Sequence, residues 1–244
     1  MEPRPSQVLK RDALGRVELV EVGGEWRVRR VACGGRLPLS AWVARKLLAR
    51  ERRALAALRG LEGVPPLLEQ APQVDVLERG RLPGEPLHRA KELPLDFFER
   101  LEALVRAMHA RGVAHNDLHK EQNVIVLPDG APGLIDFQLA SVHRLPSRLL
   151  ERRALDDLRH IAKHRRRYLR FARVVDARVA PPPELLAAPP RAPQRRGIAR
   201  VWRVTGKPLY NFVTRRVLGR RDGEERRALH DEWPVWTAAT RPRR

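Results

Sequence analysis

The sequence contains little cysteine, little lysine and no long apolar run. Because Cys33 is its only cysteine, it can form neither an internal disulfide nor a cysteine-rich zinc site, which suits a reducing compartment. No stretch approaches the roughly 20 apolar residues that a membrane-spanning helix needs, and residues 1–7 lack the apolar core of a secretory signal. These absences predict a cytoplasmic protein that is soluble or peripheral on the inner face of the membrane.

Positive charge is abundant but unevenly distributed. The 244 residues carry a formal net charge of +20, and arginine supplies nearly all of the positive charge. Residues 1–143 hold 22 Lys and Arg against 19 Asp and Glu, whereas residues 144–244 hold 27 against 10. A GC-rich coding sequence also raises the arginine content, so the position of the charge is more informative than its total. The asymmetry predicts a near-neutral catalytic unit joined to an extension that faces a polyanion.

Apolar patterns divide the first part of the chain into short elements. Alternation around a glycine pair predicts a β-hairpin over residues 16–32, and helical spacing predicts helices over residues 39–61 and 96–110. Short apolar runs separated by proline or polar residues predict further strands, and a Gly- and Pro-rich stretch predicts a hinge. These strands cover residues 64–69, 73–77, 124–127 and 134–137, and the hinge covers residues 79–86.

A polar loop follows the second predicted helix. It reads His-Asn-Asp-Leu-His-Lys-Glu-Gln-Asn over residues 115–123, and nineteen residues after Asp117 an apolar strand ends in Asp136 and Phe137. A hairpin would return Asp136 to the side of Asp117 and Asn123. Phosphoryl transfer requires Mg²⁺ held against the phosphates and a carboxylate that orients the attacking hydroxyl. Two carboxylates and one amide at this spacing can supply both.

This segment resembles the catalytic loop and the D-F-G-type metal motif of the protein-kinase-like superfamily, and it is most similar to the small RIO-type and lipopolysaccharide-core kinases. The resemblance covers about residues 8–170. It implies an α+β, two-lobed minimal kinase fold, with a β-rich N-lobe and a helical C-lobe, and it implies ATP and Mg²⁺ as cofactors. By the same resemblance Asp117 is the catalytic base and Lys120 a cation near the transferred phosphate. Asn123 and Asp136 are the metal ligands.

The catalytic segment departs from the family pattern at two positions. Asn123 lies six residues after Asp117, where the family has five, and Gln138 replaces the glycine of D-F-G. That replacement keeps the metal-binding aspartate but removes the backbone freedom that switching kinases use. No activation segment with an A-P-E-like end follows. The resemblance therefore implies a kinase that is constitutively assembled or regulated elsewhere.

The nucleotide-binding part of the pattern is weaker. Gly15 is the only glycine between residues 10 and 22, so the family's glycine-rich phosphate loop is missing. The family's strand-three lysine should lie within residues 26–31, where Val28 and Arg30 share one face. The resemblance assigns both to nucleotide binding, with Glu51 in the following helix as the partner of Arg30. Arginine is unusual at this position, because a guanidinium does not contact phosphate as an ammonium does.

Composition changes after residue 145. We expect a kinase-like N-lobe over residues 1–80, a C-lobe over residues 81–175, a Pro-rich linker over residues 176–197 and a basic amphipathic tail over residues 198–244. Aromatic residues interleave with arginines in residues 195–244, a pattern that suits an anionic membrane surface. Packing of its apolar residues onto the catalytic domain is an equal alternative. Nucleic acid is less favoured because no binding module is recognisable.

The predicted function is an ATP- and Mg²⁺-dependent kinase that transfers the γ-phosphate to a hydroxyl. The acceptor is a Ser or Thr of a protein, or an envelope saccharide or lipid. The alternative, of a different class, is a catalytically weak pseudokinase that acts as a binding or scaffold module at an anionic membrane surface or RNA. The missing glycine-rich loop and Arg30 motivate this alternative.

Two local alternatives concern side chains in and around the loop. His115, Asp117 and His119 alternate along the chain, so on an extended segment they would point the same way as metal ligands. This metal site is the less favoured interpretation, because further ligands at a defined spacing are absent. Asp156 and Asp157 fit either a buried anchor beneath the loop or a solvated helix face. The solvated face is the favoured interpretation.

Overall fold

An antiparallel sheet of four strands forms the N-terminal part of the protein. The structure, a computed structural model, describes residues 6–12, 14–34, 40–68, 73–171, 173–174 and 232–237. Gly23 and Gly24 adopt φ values of 64° and 83°, which only glycine accepts readily, and their turn joins the two central strands. The predicted hairpin is therefore confirmed. The strands lie in the order β1 (Ser6–Asp12), β2 (Gly15–Val22), β3 (Glu25–Ala32) and β4 (Val76–Gly80).

One helix, α1 (Ser40–Ala57), packs against this sheet. Its buried residues recur at helical spacing and include Ala44, Leu48 and Leu55, which bury an apolar stripe as an amphipathic helix does. Glu51 lies within the same buried stripe and is fully inaccessible to solvent. The predicted helix is confirmed, although it ends at Ala57, four residues earlier than the pattern indicated.

The C-terminal part is mainly helical and contains three small sheets. Its elements are β5 (Glu85–Pro86), β6 (Glu92–Pro94), α2 (Phe97–Ala110), β7 (Val113–Ala114), β8 (Val124–Val126), β9 (Pro132–Leu134), β10 (Ser141–Val142), α3 (Arg148–Phe171), β11 (Arg173–Val174) and β12 (Val235–Thr237). In the first small sheet β8 lies between β5 and β9, in the second β10 pairs with β7, and in the third β12 lies between β11 and β6 and is parallel to both. The helices α2 and α3 pack against each other over an apolar core.

Two strand predictions fail in the connection between α1 and β4. Residues 64–68 form only an isolated bridge between Leu67 and Arg79, because Pro65 and Pro66 have no N–H to donate to a ladder. The strand expected over residues 73–77 is displaced to Val76–Gly80, so it extends into the predicted hinge. The other predicted helix is present, and so is the hairpin of β8 and β9. The second strand of this hairpin was expected over residues 134–137, but it ends at Leu134, and Asp136 lies in the turn that follows.

The last described segment belongs to the C-terminal lobe. Trp236 in β12 is 4% exposed and packs edge-on against Phe98, at 6.3 Å between ring centroids. The sequence assigned residues 232–237 to the amphipathic tail, but Val235–Thr237 instead pair with β6 and extend its sheet. The predicted linker and the rest of the tail lie outside the described residues. Within the described part of the chain, no helix is long and apolar enough to cross a membrane.

Candidate active site

The loop after β7 brings two polar side chains to one buried carboxylate. Asp117 is buried, with 2% of its surface exposed. The amide nitrogen of Asn123 donates to Asp117 Oδ2 and to the Asp117 carbonyl, both at 3.0 Å. Lys120 Nζ lies 2.9 Å from Asp117 Oδ2. Because both neighbours contact the same oxygen, the carboxylate is held in one orientation next to a cation.

Asp157 in α3 anchors this loop from below. Its Oδ2 accepts the backbone N–H of His115 at 2.8 Å, and its Oδ1 accepts that of Asn116 at 2.9 Å. The ring of His109 lies 3.1 Å from the same Oδ2. Asn116 has φ of +65°, a conformation that side-chain-bearing residues seldom adopt, and these bonds hold it there. The preference for a solvated helix face was therefore wrong for Asp157, which is 1% exposed.

The two histidines of the loop have different environments. His115 is fully buried, its Nε2 lies 3.0 Å from the carbonyl of Ile135, and its ring packs on Phe137 at 4.7 Å. His119 lies on the more exposed side, with Nδ1 3.1 Å from Asp117 Oδ1. Among the described residues no group of three or more His, Cys, Asp and Glu side chains is arranged to hold a metal. The alternative metal site is therefore wrong, because the His115 ring turns into the core.

Asp136 is delivered to the loop by the hairpin of β8 and β9. The N–H of Ile135 donates to the carbonyl of Asn123 at 3.0 Å, which fixes the return of the chain. Asp136 adopts φ of +66°, and a residue held in this strained region is a common feature of functional sites. Its Oδ1 lies 3.6 Å from Arg30 Nη2. The predicted return of Asp136 to the catalytic loop is present.

Positive charges surround Asp136. Burial by itself would raise its pKa, but the charges of Arg30, His115, Lys120 and Arg79 outweigh that effect, so the pKa of the Asp136 carboxyl lies below its usual value. A carboxyl with a lowered pKa is ionised at neutral pH. Asp136 is therefore available as an anionic oxygen ligand.

Arg30 reaches the partner that the sequence indicated. Its Nε lies 3.4 Å from Glu51 Oε2, and Arg79 in β4 contacts the other oxygen, with Nε 3.4 Å from Oε1. Glu51 is thus shared by two arginines at the interface of α1 with the sheet. Burial, partly offset by Glu51, lowers the pKa of the Arg79 guanidinium. No sequence pattern indicated Arg79, because only the pairing of β4 with β3 brings it to Glu51.

Val28 and Arg30 both face α1 from β3. Val28 is buried opposite Leu19 of β2, in the register that pairs the two strands. A small, open cleft lies beside Arg30 and is lined by residues of β1, β2, β3 and α1 together with Gln138. Gly15 lies at its rim, where an added Cβ would approach the carbonyl oxygen of Val31 to 2.1 Å. The residue that replaces the glycine of D-F-G thus borders the same opening as the predicted nucleotide residue.

Comparison with known proteins agrees with this geometry. Residues 34–145 match the model of the APH phosphotransferase enzyme family. The Rio2 kinase of Chaetomium thermophilum has a similar fold, with a TM-score of 0.51 and 17% identity over 64% of this chain and 54% of that one. The matched region and the shared fold support a protein-kinase-like superfamily member. The predicted superfamily, α+β fold and phosphotransferase class are confirmed.

A further similarity connects this kinase-like chain to a much longer protein. A probable SapB synthase of Streptomyces coelicolor is 35% identical over 117 residues, which are 38% of this chain and 12% of that protein. The chain thus spans a small part of that relative and about half of the Rio2 kinase.

The residues of the site fit a bound magnesium ion. Asp136 Oδ1 is buried and accepts no hydrogen bond within the described part of the chain. Asn123 uses its amide nitrogen to bind Asp117, so its amide oxygen remains as the acceptor atom. Carboxylate and amide oxygens, completed by phosphate oxygens, are ligands that Mg²⁺ accepts. The donor set therefore has the chemistry of a magnesium–nucleotide site.

Proposed function

We propose that the protein is an ATP- and Mg²⁺-dependent kinase that transfers the γ-phosphate of ATP to a hydroxyl group. The observation that carries the proposal is the cluster in which Asn123 and Lys120 both contact the buried carboxylate of Asp117, while the following hairpin returns Asp136 to the loop. A positioned base next to a metal ligand and a cation is what phosphoryl transfer requires of a protein.

In this proposal Asp117 orients the acceptor hydroxyl and takes its proton. Asn123 holds the carboxylate in place through Oδ2, and Lys120 lies near the transferred phosphoryl group. Asp136 and Asn123 would hold Mg²⁺. When bound, the ion would neutralise charge that develops on the phosphate oxygens.

Nucleotide binding is assigned to the N-lobe. Val28 would line the base pocket, and Arg30 would contact phosphate while Glu51 orients its guanidinium. Because a guanidinium offers several donors in a fixed plane, Arg30 can contact Glu51 and still present N–H groups to a phosphate. Arg79 would support this arrangement from behind by holding the second oxygen of Glu51.

The direct test measures Mg²⁺-dependent ATP turnover and autophosphorylation by the wild type, Asp117→Asn and Asp136→Asn. We expect both variants to lose at least about 100-fold in turnover, since each removes a group used in the transition state. Asp129→Asn, in the exposed turn between β8 and β9, is a control and should keep wild-type activity. Equal signal from wild type and the two site variants would refute the kinase proposal.

One observation favours the pseudokinase as a second candidate. Arg30 Nη2 lies 3.6 Å from Asp136, so the guanidinium occupies the neighbourhood that a metal ion would share. A pseudokinase would bind nucleotide without transferring phosphate. Equilibrium binding of a non-hydrolysable ATP analogue, with and without Mg²⁺, separates the two candidates. Binding that is independent of Mg²⁺, together with absent turnover, would favour the pseudokinase.

The proposal also covers the class of acceptor and the cellular location. We propose a protein Ser or Thr, or an envelope saccharide or lipid, as acceptor. We also propose a cytoplasmic protein that attaches to an anionic membrane surface through residues 195–244, apart from residues 232–237, which belong to the C-terminal lobe. Flotation with vesicles that contain anionic lipid tests the attachment. The comparison uses the full chain and a chain lacking residues 195–231, because β12 must be kept. Unchanged flotation after the deletion would contradict the membrane proposal.

A further inference from the structure

The segment of residues 232–237 is built into the catalytic lobe close to the catalytic loop. We propose that this segment positions the loop, with Trp233 acting through α3 on Glu121. The proposal rests on the proposed kinase function for its activity readout, and it has a second readout that does not.

The main chain of the segment is fixed on both sides of Trp236. The N–H of Val235 donates to the carbonyl of Lys91 at 2.9 Å, and the N–H of Leu95 donates to the carbonyl of Thr237 at 3.1 Å. Strand β12 lies between β11 and β6, so it is the central strand of this small sheet and not an edge strand. Trp233 therefore enters the lobe from an anchored backbone.

Trp233 contacts two consecutive residues near the end of α3. Its ring meets Tyr168 edge-on at 5.2 Å between centroids, and the guanidinium of Arg167 lies 5.2 Å from its ring centroid. Aromatic pairs and cation–π contacts at these distances are attractive. Both side chains are thus restrained by one indole ring.

The same two residues also hold Glu121. Arg167 Nη1 donates to Glu121 Oε1 at 2.7 Å, and the Tyr168 hydroxyl lies 2.9 Å from Oε2. Glu121 is fully buried. Because each carboxylate oxygen has its own partner, the position of the carboxylate depends on where Arg167 and Tyr168 stand. His164, one turn earlier in α3, lies 2.8 Å from the carbonyl of Leu118 and ties the loop to the same helix.

Glu121 begins the short 3₁₀ turn Glu121–Asn123, between two residues of the proposed site. Lys120 precedes it and Asn123 ends the turn, and both contact Asp117 Oδ2. A shift of Glu121 would move the backbone that carries both side chains. The contacts therefore assign Trp233 as a positioning residue for the catalytic loop, which acts through Arg167 and Tyr168 of α3.

The kinetic test compares Trp233→Ala and Trp233→Phe in the full chain. We expect Trp233→Ala to lower kcat by roughly 10- to 100-fold, the range expected for a displacement of about 1 Å in a catalytic group. The KM for ATP should change by less than about threefold, because the proposed nucleotide residues lie in the other lobe. Trp233→Phe should restore most of the rate. Trp42→Ala is the matched control, because Trp42 is an exposed tryptophan on α1.

A double variant tests whether Trp233 acts through Glu121. If it does, Trp233→Ala combined with Glu121→Gln should be no slower than the slower of the two single variants, because the two changes disrupt one connection. The inference would be overturned if the double variant lost kcat by the product of the two single losses. It would also be overturned if Trp233→Ala had the same kcat as Trp42→Ala.

Amide hydrogen exchange provides the readout that needs no activity. In Trp233→Ala we expect faster exchange in residues 118–124, with unchanged exchange in β2 and β3. This measurement decides the inference even if the wild type turns over no ATP, in which case only the proposed function fails. Unchanged protection of residues 118–124 would overturn the inference whether or not the protein is a kinase.

Discussion

At the scale of single residues, Asp157 is the side chain on which the backbone of the catalytic loop most directly depends. It accepts two backbone N–H groups of the loop and is buried. Asp157→Asn replaces one of the two acceptor oxygens by an NH₂ group, which would face the backbone N–H of His115 or Asn116. We expect a loss of about 1–3 kcal/mol in the free energy of unfolding, the cost of leaving a buried donor unsatisfied, together with a lower kcat.

Urea unfolding and ATP turnover measure these two effects of Asp157→Asn. Asp156→Asn, one position earlier on α3 and partly exposed, is the matched control and should change the free energy of unfolding by less than about 0.5 kcal/mol. Equal destabilisation by the two variants would contradict the anchoring role of Asp157.

His160 predicts a pH dependence of stability. Burial, with the charges of His119, His164 and Lys163, lowers the pKa of His160 from 6.5 to about 4. Between these values the unfolded chain binds a proton at His160 and the folded protein does not. Stability from this residue is therefore lost as pH falls from about 6.5 to about 4. We expect His160→Gln to make the decrease in unfolding free energy over this window shallower, measured by urea titrations at several pH values; an unchanged slope would contradict the prediction.

The sequence was most informative where a function depends on residues that are close along the chain. Asp117, Asn123 and Asp136 belong to one loop and hairpin, so a local motif predicted their proximity. The contact of Arg30 with Glu51 was predictable as well, because strand alternation and helix spacing each allow few candidates. The sharing of Glu51 with Arg79 and the anchoring by Asp157 were not, because these contacts depend on how distant elements pack.

At the scale of elements, β12 shows what apolar periodicity does not reveal. The helices α1 and α2 follow from apolar spacing over 14 or more residues, whereas β12 has three residues and forms only because β6 and β11 accept it. A strand this short carries no periodic signal of its own. Its stability comes from the burial of Trp236.

Trp236→Ala tests this account of β12. The side chain is 4% exposed and belongs to the main apolar core, so we expect a loss of about 3–5 kcal/mol in the free energy of unfolding, as for other buried aromatic truncations. Trp42→Ala, which removes an exposed tryptophan, should cost less than about 1 kcal/mol. Chemical denaturation measures both values. Similar losses for the two variants would show that β12 does not contribute to the core.

At the scale of the whole molecule, Arg30 connects the two lobes. It lies in the N-terminal sheet, contacts Glu51 of α1, and reaches Asp136 of the C-terminal lobe at 3.6 Å. The carboxylate proposed as a metal ligand therefore has a cation of the opposite lobe beside it before nucleotide binds. If MgATP takes the place of this contact, Arg30 turns to phosphate and Asp136 to the metal, so both lobes hold the same ligand.

This arrangement predicts how MgATP stabilises the protein. At a concentration of about 100 times its Kd, MgATP should raise the free energy of unfolding by about 2.7 kcal/mol, because it binds only the folded state. At the same concentration the increase in the free energy of unfolding should be smaller in Arg30→Met and in Asp136→Asn, because each variant removes the contact of one lobe with MgATP. Arg106→Gln, which changes a mostly exposed arginine of α2, should keep the full increment. Thermal unfolding with and without MgATP measures the effect. An undiminished increment in both site variants would mean that nucleotide binds away from the junction of Arg30 and Asp136.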